Sequence, residues 1–266
     1  MSHTDEYHRN MVRMLELIWG EGYMAPGGPG NVARLLEGTN PAAKRILDIG
    51  CGIGGPAREM VTTHGANVVG IDLEAPLVAR ANADAATAGL TDRCAFMQVD
   101  PGPLPFDDES FDIVTSAGAV TQTDDKTSMF AEVFRVLRPC GHFRCYEWTD
   151  SGREYSEDMR YWFELEGLTY ALVTQEYLGE LLRSKGFESV ETIDASDWYT
   201  AEARREYELI RGDLYETLVE QLGEEDANHF VEDWRMLANV CESRELLTGY
   251  CRAVKPATSR AGGAID

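Results

Sequence analysis

The chain has 266 residues, enough for one substantial hydrophobic core with a smaller cap built onto it. Asp and Glu number 46 against 24 Lys and Arg, which gives a formal net charge of −22. A surface this acidic repels phosphate backbones and anionic membranes, so we expect neither nucleic acid nor a membrane as partner. Solubility or a salty habitat would also explain the acidity.

The first 38 residues predict an N-terminal helical segment. An amphipathic helix is expected at about residues 5–19, followed by the glycine-rich turn GEGYMAPGGPG and a second short helix. The opening stretch MSHTDEYHRN is polar and acidic, and no apolar run approaches the roughly 18 residues of a membrane span. We therefore expect no export signal and no membrane anchor.

Short β-rich apolar runs then alternate with longer segments of helical period, the pattern of a parallel sheet covered by helices. We predict seven strands, at 45–50, 67–72, 94–99, 111–116, 142–147, after Gly186, and at 247–254. Helices are expected between them, for example at Ala75–Ala88 and at Lys126–Leu137, the latter ended by Pro139 and Gly141. The sequence therefore predicts an α/β fold with helices on both faces of a mostly parallel sheet.

Two stretches fit no strand in this scheme and carry helical spacing with many aromatic residues. We interpret 151–172 and 196–245 as a helical cap over the sheet edge. We expect an N-terminal helical lid at 1–38 and a disordered tail at 257–266. The core would be made of three pieces, at 39–150, 173–195 and 246–256.

Neither metal nor disulfides are expected. The six cysteines are scattered without a CxxC pair, and the histidines show no metal-ligand spacing. The cysteines are Cys51, Cys94, Cys140, Cys145, Cys241 and Cys251, and the histidines we considered are His8, His64, His142 and His229. Reduced thiols without an export signal favour the cytoplasm.

The strongest motif is the segment Asp48-Ile-Gly50-Cys-Gly52-Ile-Gly54-Gly55, placed where the first strand becomes a helix. Glycines at such a turn let the backbone bend sharply and approach a ligand, as in nucleotide sites. The same spacing satisfies the dinucleotide fingerprint, and a tight turn without a ligand is also compatible with it. The loop alone therefore predicts a nucleotide-like ligand without naming it.

Asp72 ends the next strand, 22 positions after Gly50. An acid about 20 residues beyond the glycine loop is suited to hold a ribose diol, because a carboxylate accepts from both hydroxyls at once. Capping of the following helix is the alternative role for this side chain.

Together with Asp100 in FMQVDPGPLPFDDESFDIV and the segment RVLRPCGHF, these residues resemble the class I methyltransferases that use S-adenosylmethionine (SAM). The resemblance implies a Rossmann-like fold, SAM as cofactor and S-adenosylhomocysteine (SAH) as product. It also implies that the first glycines face the methionine part of SAM, that Asp72 binds the ribose and that Asp100 binds the adenine amino group. The expected cofactor contacts are Asp48, Gly50, Cys51, Gly52, Asp72, Leu73, Asp100, Pro101 and Ala117.

A narrower resemblance runs over almost the whole chain. The segments LELIWGEGYMAPGG, TYALVTQEYLGELLRSKGF, DASDWY and GYCRAVK are similar to the phosphoethanolamine N-methyltransferases, with the sarcosine and dimethylglycine methyltransferases as a related group. That family uses a tyrosine on the first helix together with a histidine, and Tyr7 matches this tyrosine. The glycines and aromatic residues of the first helix and the GEGYMAPGG turn predict a lid that closes over SAM and brings Tyr7 beside the reacting atoms. The family's catalytic histidine, however, falls near Gln122 and its aspartate at Gly118.

The phosphate-binding positions of that family are also changed. By ungapped alignment they are Leu15, Trp148, Glu164, Leu168 and Leu237, and only Tyr170 is kept. Leucines and a tryptophan favour an apolar or cationic acceptor, because an aromatic face attracts ammonium. Glu147 or Glu164 would add a counter-charge, whereas packing in the cap or a solvated helix face would explain the same residues.

The sequence thus predicts a SAM-dependent methyltransferase of a small molecule, with an amine nitrogen favoured and phosphoethanolamine excluded. The candidate catalytic residues are Tyr7, Gln122, Trp148 and Tyr170. Arg13 and Arg160 are candidates to bind an acceptor carboxylate, and these two with Arg235 are the alternative source of a phosphate site. The other functions left open are O- or C-methylation of a natural product, and SAM binding without methyl transfer.

Overall fold

The structure of the protein, a computed structural model, describes residues 9–257. One seven-stranded sheet runs through this part of the chain, with strands in the order β3-β2-β1-β4-β5-β7-β6. The strands are β1 (Arg45–Ile49), β2 (Asn67–Asp72), β3 (Cys94–Gln98), β4 (Phe111–Ala117), β5 (Leu137–Asp150), β6 (Glu188–Asp194) and β7 (Leu246–Val254). The first five pair in parallel, and β7 is antiparallel to both β5 and β6.

Helices cover both faces of this sheet. They are α1 (Arg9–Trp19), α2 (Gly28–Leu35), α3 (Gly55–Thr62), α4 (Ala75–Thr87), α5 (Ala119–Gln122), α6 (Lys126–Val136), α7 (Glu157–Glu166), α8 (Gln175–Ser184), α9 (Ser196–Arg211), α10 (Tyr215–Leu222) and α11 (Glu224–Glu242). Several of these helices have an N-cap residue whose side chain accepts a hydrogen bond from a backbone N–H of the first turn. These residues are Asp125 for α6, Ser156 for α7 and Thr174 for α8.

The neighbouring residues Ile46 and Leu47 show that the central strand β1 is buried on both faces. Both are fully buried, Ile46 among the side chains of α2, α3 and α4 and Leu47 among those of α6 and α8. A strand covered on both faces needs apolar residues at every position rather than at alternate ones. The glycine loop therefore emerges from a rigid, two-sided core.

A further hydrophobic cluster forms the cap. It joins the buried faces of α1, α7, α9, α10 and α11, with Met14, Trp162 and Leu237 among its fully buried side chains. Helices α9 and α11 pack along each other, and α11 also packs against α7. The cap thus has its own core beside that of the sheet.

The α/β fold with seven strands is confirmed, and the boundaries of one strand are corrected. We expected β5 at 142–147, but it spans Leu137–Asp150, and α6 ends at Val136. Leu137 already pairs with Phe111, and the register shifts through a bulge before His142 pairs with Ile113. Pro139 and Gly141 therefore lie inside a bulged strand rather than at a helix end.

The expected terminal features are described only in part. Helix α1 is the described portion of the helix predicted at about 5–19. The tail that we expected to be disordered lies outside the described residues beyond Ala257. Between residues 9 and 257, no helix combines the length and the apolar character that a bilayer crossing requires.

Candidate active site

The glycine loop connects β1 to α3 through three residues in left-handed backbone conformations. Gly50, Gly52 and Gly54 have φ of 71°, 52° and 80°. A side chain at Gly50 would also collide with the Cβ of Ala119 at the start of α5. Glycine is required here both for the turn and for the close approach of β4's end.

Asp48 lies just before the loop and is almost completely buried. It is 4% exposed, and one carboxylate oxygen accepts from the Thr115 hydroxyl of β4 at 2.8 Å. Burial raises its pKa to about 7, and the negative charge of Asp72 adds to the effect. Asp48 therefore holds the carboxyl ends of β1 and β4 together beneath the loop.

Asp72 lies at the end of β2 and receives two backbone N–H groups. Its Oδ2 accepts from Gly52 at 2.8 Å and its Oδ1 from Glu74 at 3.0 Å. Burial raises the pKa of this carboxyl group, although both hydrogen bonds oppose the rise. Each oxygen keeps a further lone pair, so the carboxylate is fixed in place and can still accept from a ligand.

The other predicted cofactor contacts lie along the same edge of the sheet. Leu73 is 42% exposed just after β2, and its carbonyl accepts from the Gln98 side chain of β3. Asp100 and Pro101 follow β3 and are exposed, Cys51 is buried in the loop, and Ala117 ends β4. The structure thus brings the nine predicted residues to the carboxyl ends of four consecutive parallel strands, where α/β sheets bind ligands.

The N-terminal segment packs directly on the glycine loop. The Gly55 N–H donates to the Gly22 carbonyl at 3.0 Å, and the Gly22 N–H donates to the buried Glu16 carboxylate at 2.9 Å. A side chain at Gly55 would collide with that same carbonyl oxygen, whereas one at Gly52 would touch the sulfur of Met24.

Helix α1 contacts both the loop and the cap. Val12 packs against Ile53 of the loop and Leu77 of α4, whereas Met14 and Leu15 belong to the core of the cap. Tyr7, which we expect beside the reacting atoms, lies outside the described residues.

The substituted family positions meet mostly in the cap. Leu15 and Leu237 are buried in its core, and Trp148, Leu168 and Tyr170 pack against them. Glu164 does not join them, because it is exposed. Gln122 ends the short helix α5 and is partly buried. The three leucines and the two aromatic side chains therefore form one largely apolar region.

Five rings in this region form what we call the aromatic cluster: Trp148, Trp162, Phe163, Tyr170 and Tyr199. Trp162 and Tyr170 are stacked with ring centroids 5.2 Å apart. Trp148 contacts Trp162 at 5.5 Å and Tyr199 at 5.9 Å. Trp162 and Tyr199 are almost completely buried, so the cluster belongs to the core of the cap, and its aromatic faces would favour an apolar or cationic neighbour.

Two carboxyl groups that sequence reasoning missed, Glu166 of α7 and Asp233 of α11, border this cluster. Glu166 is only partly buried as a residue, but burial around its carboxyl raises the pKa to about 7, while a hydrogen bond from Tyr170 lowers it. Asp233 is 1% exposed, and its pKa lies well above the usual range because of burial and then the charge of Glu166. No sequence signal relates them, since the two helices are far apart in the chain.

Glu147 does not provide the counter-charge considered for it. It is 1% exposed, and its carboxylate accepts from the Ser116 hydroxyl and from the backbone and hydroxyl of Thr121, each at 2.9 Å. Burial raises its pKa and these bonds lower it. Glu147 therefore ties β5 to β4 and α5 instead of facing a ligand.

The candidate arginines are engaged with polar partners on the surface of the helices. Arg13 donates to Gln221 at 2.8 Å, Arg160 pairs with Glu154 at 3.5 Å, and Arg235 pairs with Glu232 at 2.7 Å. None of these three contacts lies in the aromatic cluster. In the described part of the chain no group of three or more His, Cys, Asp or Glu could hold a metal ion.

Comparison with known proteins agrees with this geometry. Residues 47–145 match the family model described as a methyltransferase domain. The chain is 30% identical over 220 residues to 24-methylenesterol C-methyltransferase 2 of Oryza sativa subsp. japonica, covering 74% of this chain and 60% of that protein. It is 26% identical over 251 residues to phosphoethanolamine N-methyltransferase 1 of Arabidopsis thaliana, covering 94% and 50%. The chain therefore spans about half the length of these curated relatives.

Two solved structures have the same fold. Phosphoethanolamine N-methyltransferase 2 of Haemonchus contortus, in complex with phosphomonomethylethanolamine and SAH, superposes with a TM-score of 0.88 at 25% identity, over 96% of this chain and 59% of that one. A structure described as a sarcosine dimethylglycine methyltransferase from Galdieria sulphuraria gives 0.79 at 19% identity, over 96% and 99%. Residues 47–145 of this chain are thus a methyltransferase domain, and the chain as a whole resembles the SAM-dependent methyltransferases.

Proposed function

We propose that this protein transfers a methyl group from SAM to a nitrogen of a small-molecule amine and releases SAH. The observation that carries this proposal is the aromatic cluster beside Glu166 and Asp233 in the cap, which the described part of α1 joins to the glycine loop. Aromatic faces and carboxyl groups suit an ammonium or amine far better than an anion.

The SAM site in this proposal is the edge of the sheet that carries the predicted residues. The glycine loop, Cys51 and Ala117 would face the methionine end, with Asp48 supporting the loop from below. Asp72 and Leu73 would face the ribose, and Asp100 and Pro101 the adenine. Support comes from their position at the ends of parallel strands and from the fixed orientation of the Asp72 carboxylate.

Phosphoethanolamine is a poor candidate for the acceptor. A phosphate in a closed site needs charge-assisted donors, because burial of an anion without them costs roughly several kcal/mol. Leu15, Leu168 and Leu237 offer no donors, and Arg13 and Arg235 have surface partners. The net charge of −22 further disfavours an anionic acceptor and a nucleic acid.

Catalysis in this scheme is mainly alignment of the acceptor with the methyl group and exclusion of water. Trp148 and Tyr170 would position the acceptor, with Tyr7 from the N-terminus and Gln122 from α5 nearer the methyl group. A tertiary amine has no proton to lose, which fits a glutamine where the related family has a histidine. The scattered spacing of the cysteines supports the cytoplasm as the place of reaction in this proposal.

The second candidate is methylation at carbon. Leu15, Leu168 and Leu237 are apolar enough to hold a hydrocarbon, and one of the relatives is a sterol C-methyltransferase at 30% identity. The buried carboxyl groups Glu166 and Asp233 favour the amine, because a neutral hydrocarbon would provide no counter-charge for them.

A survey with methyl-labelled SAM distinguishes the two. Secondary and tertiary amines, sterols, isoprenoids and phenols are supplied at matched concentrations, and the labelled product is identified by mass spectrometry. We expect transfer to an amine nitrogen. Transfer to carbon would replace this proposal by the second candidate, and SAM binding without any labelled product would favour a non-methylating protein of this fold.

A further inference from the structure

We propose that Glu166 and Asp233 together form the site that recognises the positive charge of the acceptor, with the aromatic cluster as its walls. The inference rests on the proposed function, since it names the chemical class that the acceptor region selects. The two residues correspond to none of the substituted family positions, and they come from α7 and α11, which pack against each other in the cap.

The first argument is the state of the Asp233 carboxyl group. Asp233 is 1% exposed, and the neighbouring Trp162 indole lowers the pKa of its carboxyl, yet Oδ1 accepts no well-formed hydrogen bond from residues 9–257. Buried polar atoms nearly always have a partner, so an orphaned carboxyl oxygen calls for a specific explanation. A bound cation supplies the missing interaction.

The second argument is that the unsatisfied polar atoms are grouped. The Tyr199 hydroxyl and the Trp148 indole N–H, both in the aromatic cluster, are also buried without partners among residues 9–257. Burial raises the pKa of the Tyr199 phenol, and neighbouring groups that include Glu166 add smaller contributions. An acceptor that carries an oxygen beside its cationic nitrogen would satisfy these donors as well as Asp233.

The third argument is electrostatic. Burial and the charge of Glu166 both raise the pKa of Asp233, so ionisation of both carboxyl groups is disfavoured without a counter-charge. An ammonium group provides that counter-charge and allows ionisation, and the faces of Trp162 and Tyr170 add a favourable interaction with the same charge. A neutral ligand of equal shape gains neither contribution.

Calorimetry with choline and its neutral carbon isostere, in which carbon replaces nitrogen, measures this selectivity. The protein is first saturated with SAH, whose binding is recorded separately, and the two probes are then titrated at about pH 8. We expect choline to bind about tenfold more tightly or better, in line with the interaction of a desolvated ammonium with aromatic faces.

Asp233→Asn should bring the two affinities to within about twofold of each other, because the amide provides no charge. Glu166→Gln is the second variant, less buried and therefore usable if the first fails to fold by circular dichroism. Asp158→Asn, on the exposed side of α7, removes one carboxylate elsewhere and should preserve the preference.

Equal affinities for the two probes, no binding of either, or a preference that survives both substitutions in the pair would overturn the inference. SAH binding is independent of these outcomes. If SAH binds and the choline preference is absent, the charge-recognition site fails while the cofactor proposal stands; the reverse result refutes the cofactor proposal alone.

Discussion

At the scale of single residues, Asp72 is the most informative position of the cofactor site. Its carboxylate joins the glycine loop to the start of α4 through Gly52 and Glu74, and it has acceptor capacity left for a ribose. Asp72→Ala should weaken SAM binding by about 1–3 kcal/mol, the usual cost of losing hydrogen bonds to a charged group. Titration calorimetry provides the measurement, with the exposed Asp92→Ala as control. Unchanged affinity in the Asp72 variant would refute its assignment to the ribose.

Glu206 of α9 provides a test of pH dependence. It is buried and accepts from the indole N–H groups of Trp19 at 2.7 Å and Trp234 at 3.1 Å. Burial raises its pKa to about 7, the indole bonds lower it, and the nearby charges of Arg205 and Glu202 oppose each other. The unfolded chain loses this proton near pH 4.3, roughly the free glutamate value.

Between these two pH values the folded protein holds a proton that the unfolded chain releases, so rising pH favours unfolding. Glu206 should therefore lower the free energy of unfolding by about 3 kcal/mol as pH rises from 4.5 to 7, at about 1.4 kcal/mol per pH unit. Chemical denaturation across this range should show a smaller decrease for Glu206→Gln than for the wild type. The exposed Glu220→Gln should match the wild type; an unchanged slope in Glu206→Gln would contradict the assignment.

The same scale shows which site residues could be predicted from the sequence. Asp48 and Asp72 follow from local pattern, because strand ends and glycine turns are readable in a short window. Glu166 and Asp233 could not be found that way. From the sequence, a carboxylate that a distant helix buries cannot be distinguished from an exposed one. The aromatic residues near Glu166 could also be explained by packing of the cap alone.

At the scale of secondary structure elements, the contact between the N-terminal turn and α3 is the most testable. The backbone at Gly55 does not have positive φ, so alanine is excluded only by the Gly22 carbonyl. Gly55→Ala should push the turn off the glycine loop and weaken SAM binding by about tenfold. This corresponds to the loss of roughly one backbone hydrogen bond, because a free-energy change of about 1.4 kcal/mol changes an affinity tenfold.

Gly30→Ala is the matched control for Gly55→Ala. Gly30 lies in α2 with open space around it, so the added methyl group should leave both SAM affinity and thermal stability near the wild-type values. A Gly55→Ala variant that binds SAM as tightly as Gly30→Ala would show that the turn does not cover the cofactor.

Elements were predictable to different degrees. The core strands are short, mainly apolar runs, which identifies them within a residue or two. The start of β5 was not predicted correctly, because Pro139 and Gly141 are residue types typical of a helix end, whereas in the structure they lie in the bulged part of the strand. The cap was predicted as helical without division into separate helices. Its breaks at Gly212 and Gly223, which separate α9, α10 and α11, fall at glycines, a local signal for a helix end.

At the scale of the whole molecule, the acidic surface and the apolar cap both oppose an anionic acceptor. We expect kcat/KM for phosphoethanolamine and its mono- and dimethyl forms to stay below about 10⁴ M⁻¹s⁻¹, the lower end of ordinary enzyme efficiency. Steady-state assays compare these phosphobases with the corresponding unphosphorylated amines under identical conditions. Efficient turnover of any phosphobase would refute the exclusion of an anionic acceptor.

Helix α1 links the proposed cofactor site to the proposed acceptor site, because its residues pack against both. Val12 reaches the glycine loop, and Met14 and Leu15 belong to the cap that holds the aromatic cluster. A ligand that restricts the motion of α1 from one side would leave less motion for the second ligand to restrict. Cofactor and acceptor should therefore strengthen each other's affinity by the same factor, as thermodynamic linkage requires.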